Sequence, residues 1–408
     1  MTVDFNIIKK ALNYAAKNSG FYRKLFQGID IGKIDNLKDF ESLPFSDKHD
    51  LRAAYPLGIQ AVPDDKVVRI HASSGTTGKS VIIPYTKKDV EDWSLMFARC
   101  YKMAGINATD RVQITPGYGL WTAGIGFQAG CERLGAMAIP TGPGNTDRQL
   151  EMMVDLKSTV LCATSSYALL LAEEVNRRGI KDRIHLKRGI IGSERWGDLM
   201  RSRIASILNI ELFDIYGLTE IYGPGIAIDC PCHKGMHYWN DYFYFEIIDP
   251  DTGKVLPKGE YGELVITTLK KEGAPLIRYR THDLTRIIPD PCPCGSIFPT
   301  IDRIIGRTDD MIKIKGVSFY PSQIESLLSE IKGISSEYQI IISCQEGKEV
   351  LTLKVEATDI CARDQIVSSV CNAFKTNIGI KIDCECFELG SLPRSEKKSK
   401  RVYDYRQC

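Results

Sequence analysis

Two short stretches concentrate the groups that could do chemistry. Ser73 to Lys79 holds four hydroxyls (Ser73, Ser74, Thr76, Thr77), two glycines (Gly75, Gly78) and Lys79 within seven residues. Glycine lets a backbone turn tightly and approach a ligand closely. Successive N–H groups, hydroxyls and an ammonium suit phosphate oxygens. The spacing is not that of the G-x-x-x-x-G-K-[ST] loop, so the phosphate would be held in another way. The second stretch, Asp214 to Ile221, sets the Thr219 hydroxyl beside the Glu220 carboxylate. Such a pair suits a phosphate and a Mg²⁺ ion, which prefers oxygen ligands.

A third group offers softer ligands. Cys230, Cys232, His233 and His237 precede Cys292 and Cys294 by about sixty residues. Two thiols one residue apart converge in a tight turn, and a second donor group can complete a tetrahedral Zn²⁺ site. The preferred set is Cys230, His237, Cys292 and Cys294, with Cys232 and His233 as alternatives. Four protein ligands leave no open position, so the metal would be structural.

These groups need a scaffold. Residues 7 to 17 read as a helix with Ile8, Leu12 and Ala15 on one face, and Ser46 or Asp47 is placed to cap another. The first 65 residues therefore form a helical lead-in. Strand candidates at 67–70, 80–84, 110–115, 136–140, 159–163 and 188–192 alternate with helices, among them 87–102 after the capping Thr86 and 166–178 before Gly179. That alternation predicts an α/β sheet with ligands at the carboxyl ends of its strands. Near the 110–115 strand, small residues and the rings of Tyr118 and Trp121 suit either a flat ligand or helix packing. From 242 the texture turns β-rich, with strands at 242–248 and 262–268. A boundary is expected near Gly306 to Asp310, followed by a small α/β domain.

Composition excludes several classes. The chain has 408 residues, enough for two or three domains, with 43% hydrophobic and 25% charged residues. A net charge of +2 argues against a nucleic-acid partner. No run approaches a membrane span, and Met1 to Phe5 shows no leader pattern, so a cytoplasmic, non-membrane protein is expected. Thirteen scattered cysteines argue against a disulfide framework.

Six motifs in order resemble the adenylate-forming superfamily over essentially the whole chain. They are the 73–79 loop, Gly192-Ser193-Glu194, Tyr216-Gly217-Leu218-Thr219-Glu220, Arg280-Thr281-His282-Asp283, Gly306-Arg307-Thr308-Asp309-Asp310, and Leu392-Pro393-Arg394-Ser395-Glu396 followed by Lys397 and Lys398. Within it, the chain resembles the phenylacetate–CoA ligase family. The resemblance implies a large N-terminal domain, 1–308, of α/β subdomains with a β-rich, zinc-bearing segment at about 225–305. A small mobile α+β domain, 309–408, would follow. It implies ATP, Mg²⁺ and CoA as cofactors or co-substrates, an aryl acid as substrate, and a homodimer, beside the structural Zn²⁺ expected from the thiols and imidazole.

The resemblance also assigns roles. Ser73, Ser74, Gly75, Thr76, Thr77, Gly78 and Lys79 would cover the β- and γ-phosphates. Thr219 would touch the α-phosphate and Glu220 would hold Mg²⁺. Ser193, Glu194, Tyr216 and Gly217 would flank the nucleotide, Asp283 would take the ribose hydroxyls, and Arg307 the ribose or phosphate. Lys398 would be the mobile adenylation lysine, with Lys397 as its competitor because lysine replaces the usual glycine there. Asp309 would be the hinge. Tyr118, Gly119, Trp121, Thr122 and Ala123 would line one wall of the aryl pocket, with Ile221, Tyr222 and Pro224 opposite. The expected reaction is aryl-acetate–CoA ligation through an acyl-adenylate. Alternatives are ligation or adenylation of indole-acetate, hydroxyphenylacetate or benzoate, and a catalytically silent nucleotide-binding scaffold.

Overall fold

The computed structural model describes residues 4–73, 79–194, 196–345, 348–394 and 400–406. Ser74, Gly75, Thr76, Thr77, Gly78, Lys397 and Lys398 lie outside them.

Among the described residues the largest sheet has nine strands. Met137–Ile139, Arg111–Ile114, Val160–Thr164, Arg188–Gly192 and Glu211–Leu218 lie side by side and parallel. Gly223–Asp229 and Met236–Tyr238 continue the sheet antiparallel, and Thr300–Ile301 and Ile287–Ile288 complete it. Successive side chains of a strand face opposite ways. Val160, Cys162, Ile190 and Phe213 therefore join one core with Trp93, Phe97 and Phe127, while Leu161, Ala163, Ile191 and Leu212 join another with Leu169, Ala172 and Ile204. Helices Lys87–Met103 and Thr122–Leu134 cover the first face. A Cβ on Gly130 would lie 2.3 Å from Phe97, so glycine permits that helix crossing. Thr86 caps the first of these helices by accepting from Asp89 N, as expected from its type.

The 225–305 segment divides between two sheets. Its ends belong to the nine-stranded sheet. Phe243–Ile248, Gly262–Thr268 and Tyr279–Thr285 form an antiparallel sheet with Gly306–Arg307. Alternation alone cannot assign a strand to one of two neighbouring sheets, because pairing is a long-range choice.

The helical lead-in is stitched to the second sheet. Ser46 N donates to Arg278 O and Arg280 N donates to Ser46 O. Arg278 and Glu246 form a fully buried ion pair at 3.0 Å, and the same guanidinium donates to the carbonyls of Glu41 and Leu43. Phe45 lies 4.1 Å from that guanidinium. Asp47, the second of the two candidate caps, closes a capping box over helix Lys48–Ala53.

The small domain holds strands Asp383–Glu388, Lys348–Ala357, Ile334–Gln345 and Val402–Asp404 in that order, with helices Pro321–Ser329 and Arg363–Asn377 on its own core. The chain is thus a large α/β domain followed by a smaller one. Arg394 spans the two, reaching Glu173 of helix Ser165–Arg177 at 2.9 Å and Glu356 of strand Lys348–Ala357 at 2.8 Å. Arg203 also pairs with Glu173, at 2.8 Å, and donates to Ser335 Oγ across the same junction.

Two outcomes are expected. Arg278→Met strands a buried carboxylate and should lower unfolding free energy by about 3–5 kcal/mol, with Glu246→Leu in the same chain restoring part of it; urea denaturation of the three proteins checks this. Glu173→Gln should weaken docking of the small domain by about 2 kcal/mol. An increased radius of gyration in X-ray scattering is the expected result, and an unchanged profile would show that the cluster does not hold the domains together.

Candidate active site

The parallel strands deliver their following residues to one end of the sheet. Tyr118 to Ala123 follow Arg111–Ile114, Ser193 and Glu194 follow Arg188–Gly192, and Thr219 and Glu220 follow Glu211–Leu218. This is the carboxyl edge, where open α/β sheets bind ligands. The 219–222 turn is tight: a Cβ on Gly217 would sit 1.9 Å from the Gly223 carbonyl, which restricts the position to glycine.

One concavity is lined by Lys48, Leu218, Glu220, Tyr279, Thr281, His282 and Arg307. Glu220 is buried, and its Oε1 faces Lys48 Nζ at 3.1 Å. That oxygen accepts no hydrogen bond from the described residues. A buried carboxylate oxygen with one ammonium beside it and no other donor fits a site for a hard cation. Lys48 has no motif to announce it. It reaches the site because Ser46 bridges to Tyr279, so its proximity is purely tertiary.

Asp283 is also buried, between two donors. Tyr216 Oη donates to it at 2.6 Å and Arg307 at 2.8 Å. Burial raises the Asp283 carboxyl above its ordinary range, and Arg307 pulls against that shift. The same guanidinium grips Asp309 through two hydrogen bonds of 2.9 and 3.0 Å. Burial would lower Arg307, but Asp283 and Asp309 more than offset it, so its pKa is raised. His282 holds a φ of +64°, a region that favours glycine. Here the imidazole Nδ1 pairs with Thr308 Oγ1 at 2.9 Å.

The remaining expected residues are distributed as follows. Thr122 and Thr219 hydroxyls meet at 3.5 Å, joining the 118–123 stretch to the 219–222 turn. The Tyr118 ring packs on Gly124, while Gly119 is exposed and Ala123 half-buried. Trp121 is 43% exposed, with its ring against Gly117. Ile221, Tyr222 and Pro224 are buried; the Pro224 carbonyl accepts from Trp93 Nε1 at 3.0 Å. Ser193 has a φ of +69°, and Glu194 accepts from Ser166. Ser73 is turned inward, closing the base of its loop through two hydrogen bonds with Val81. Lys79 lies 5.0 Å from the Tyr55 ring centroid.

The thiol and imidazole group assembles at the far edge of the nine-stranded sheet. The ligand atoms of Cys230, His237, Cys292 and Cys294 all lie within 4.8 Å of one another. Cys230 Sγ is 3.6 Å from Cys292 Sγ, and Cys294 Sγ is 3.2 Å from His237 Nε2. Ligands about 2.0–2.3 Å from a tetrahedral Zn²⁺ are separated by roughly 3.5–3.8 Å, so the spacing and the donor set fit that ion. His237 Nδ1 meets the Phe298 carbonyl at 2.7 Å, which leaves Nε2 toward the thiols. His233 turns away to Asp229 at 2.6 Å.

Residues 24–269 match the AMP-binding enzyme family model and residues 316–406 the AMP-binding enzyme C-terminal domain model. The chain is 41% identical to a phenylacetate–coenzyme A ligase of Pseudomonas putida over 98% of this chain and 92% of that protein. It is 37% identical to one of Thermus thermophilus, over 98% and 95%. The structure resembles a 2-hydroxyisobutyryl-CoA ligase in its postadenylation state, with a TM-score of 0.89 at 27% identity, covering 98% of this chain and 88% of that one. Against the same ligase in its thioesterification state the TM-score is 0.71, at 28% identity and the same coverage, so the domain arrangement here is nearer the first. No helix among the described residues is long and apolar enough to cross a membrane. The chain therefore belongs to the AMP-binding enzyme family, among the phenylacetate–coenzyme A ligases.

Proposed function

We propose that the chain is an ATP-dependent aryl-acetate–CoA ligase acting on phenylacetate. The observation that carries this is the meeting of Lys48, Glu220 and Arg307 at one concavity, with Arg307 joined to the Tyr216–Asp283 pair and Thr122 meeting Thr219 beside Glu220. The identity to phenylacetate–coenzyme A ligases over nearly the whole chain supports the choice of acid.

The acid carboxylate attacks the α-phosphorus of ATP, and the bond to pyrophosphate breaks. Two anions must meet, so positive charge and donors have to offset the charge on the phosphoryl oxygens. Magnesium held by Glu220 would supply part of that charge. Lys48 adds its ammonium to the same concavity, where it would face the phosphate or the incoming carboxylate. Thr219 donates to the α-phosphate. Asp283 accepts the ribose hydroxyls, with Tyr216 and Arg307 holding its carboxylate in place. Ser74 to Lys79 cover the outer phosphates, and Lys398 completes the charge around the carboxylate. In the second half-reaction the CoA thiol gives up its proton, attacks the acyl carbon and expels AMP. A turn of the small domain about Asp309 exchanges Lys398 for the face that receives CoA. That turn would part Arg394 from Glu173, which lie on the two domains. The aryl ring lies between the 118–123 stretch and Ile221 to Pro224. A cytoplasmic homodimer completes the proposal.

AMP release with ATP, Mg²⁺ and CoA across aromatic and aliphatic acids, with the thioester identified by mass, tests it. Turnover on phenylacetate well above acetate and benzoate is expected, and Glu220→Gln should reduce it by about 100-fold or more. AMP without thioester would move the acceptor, and no AMP with any acid would favour a silent nucleotide-binding scaffold.

The four-residue cluster would hold a structural zinc, fastening the 289–299 loop to the sheet edge through Cys230 and His237. Atomic absorption should find one zinc per chain, lost in the Cys292→Ser/Cys294→Ser double variant together with thermal stability. Full retention of zinc in that variant overturns the ligand set.

A further inference from the structure

The proposed chemistry leaves one buried cationic side chain without a task. Lys271 is 2% exposed and lies in the connection after strand Gly262–Thr268. Its Nζ donates to the Ile221 carbonyl and stands 4.1 Å from the ring centroids of both Tyr85 and Tyr222. Among the described residues no carboxylate forms a salt bridge with it. Burial lowers the amine to about 7, and either protonation form donates an N–H to the carbonyl. A polar tip in such surroundings is costly, and an apolar side chain of similar length would fill the space more cheaply.

The carbonyl it holds belongs to the residue immediately after Glu220. That residue lies in the 219–222 turn, where Ile221 N donates to Leu218 O at 3.1 Å. The base of Lys271 is fixed as well. Glu272 N and Gly273 N donate to the two carboxylate oxygens of Asp89, both at 2.8 Å, and Asp89 is fully buried at the start of helix Lys87–Met103. A continuous path therefore runs from that helix start through Lys271 to the turn that carries Thr219 and Glu220. Lys48 meets Glu220 from the concavity, and Lys271 holds the adjoining peptide from the core. The surrounding aromatic box supplies no substitute. The Tyr85 and Tyr222 hydroxyls and His71 Nε2 are buried without hydrogen-bond partners among the described residues, so Lys271 provides the link between box and turn.

We propose that Lys271 is a positioning residue for adenylation, holding the Ile221 peptide and the Tyr222 ring so that Glu220 and Thr219 face the nucleotide. It touches no substrate and acts through the turn. The proposal rests on the function given above for Glu220.

The test uses the full-length enzyme with Lys271→Met, Lys271→Arg, Glu220→Gln and the Lys271→Met/Glu220→Gln double variant. Near-ultraviolet circular dichroism first establishes that each is folded. Calorimetric titration with ATP, in EDTA and in MgCl₂, then gives the gain in affinity due to the metal. In Lys271→Met that gain should shrink by about tenfold, the range seen when an outer partner of a metal ligand is lost, while binding in EDTA changes by less than about twofold. Acid-dependent ATP–pyrophosphate exchange should fall by about tenfold in kcat with little change in KM for the acid. In the Glu220→Gln background the same substitution should cost less than about twofold, because both act through one turn. A merely structural lysine would lower melting temperature yet leave the metal-dependent gain and this coupling unchanged, and that result overturns the proposal. Should Lys271→Met not fold, Lys271→Leu, which also lacks an N–H donor, takes its place in both measurements and in the Glu220→Gln background, and a wild-type metal gain in it together with equal costs in the two backgrounds would likewise overturn it. Absence of exchange in the wild type with every acid sinks the proposed function, while the ATP titrations still decide the role of Lys271.

Discussion

Arg307 has one guanidinium and three obligations. It neutralises the buried Asp283, it forks onto Asp309, and it lines the concavity that holds Glu220. Asp283 closes the second sheet of the large domain, and Asp309 opens the passage to the small one. A single delocalised cation therefore links a buried carboxylate of the large domain to the segment that leads into the small one. Arginine suits the task because its planar fork can serve two carboxylates at once without losing charge. The charge balance of Asp283 and that of Asp309 therefore draw on the same group.

The rest of the charge distribution follows a similar economy. Carboxylates that would be costly alone are each given a cation from a distant part of the chain: Glu246 by Arg278, Glu220 by Lys48, Glu356 and Glu173 by Arg394. These pairs do little to add stability in themselves, since desolvation offsets much of the attraction. Their effect is on geometry. Each one fixes a loop or helix whose position the hydrophobic core leaves open. The lead-in helices illustrate the division. Their apolar faces cluster with Leu269 and Ile277, while Arg278 and Ser46 set the register that carries Lys48 to the site.

Legibility varied with the range of the interaction. Thr86, Asp47 and the strand Arg188–Gly192 were readable because caps and short apolar runs are local. The gathering of Cys230, His237, Cys292 and Cys294 was readable because thiol and imidazole are scarce and their chemistry is narrow. The division of 225–305 between two sheets was not, since strand pairing couples residues that patterning treats as independent. Lys48, Lys271 and Arg394 were missed as site residues for the same reason. Lysine and arginine are common, and nothing nearby in sequence separates a solvated one from one carried to a buried carboxylate or carbonyl. His282 shows the reverse case. Its place before Asp283 was visible in the sequence, but its left-handed backbone, held by Thr308 and Glu263, required the coordinates.

By itself the sequence determined the fold class, the family, and which thiols and imidazole the fold gathers into one cluster. Each of these rests on local spacing or on residue types with few uses. Tertiary structure alone decided which cation answers which carboxylate, which sheet receives each strand, and how the small domain meets the large one. Those choices depend on desolvation and on contacts between residues up to more than two hundred positions apart, such as Arg394 with Glu173. Burial makes such contacts consequential, because a charge removed from water must find its partner wherever the fold has placed it.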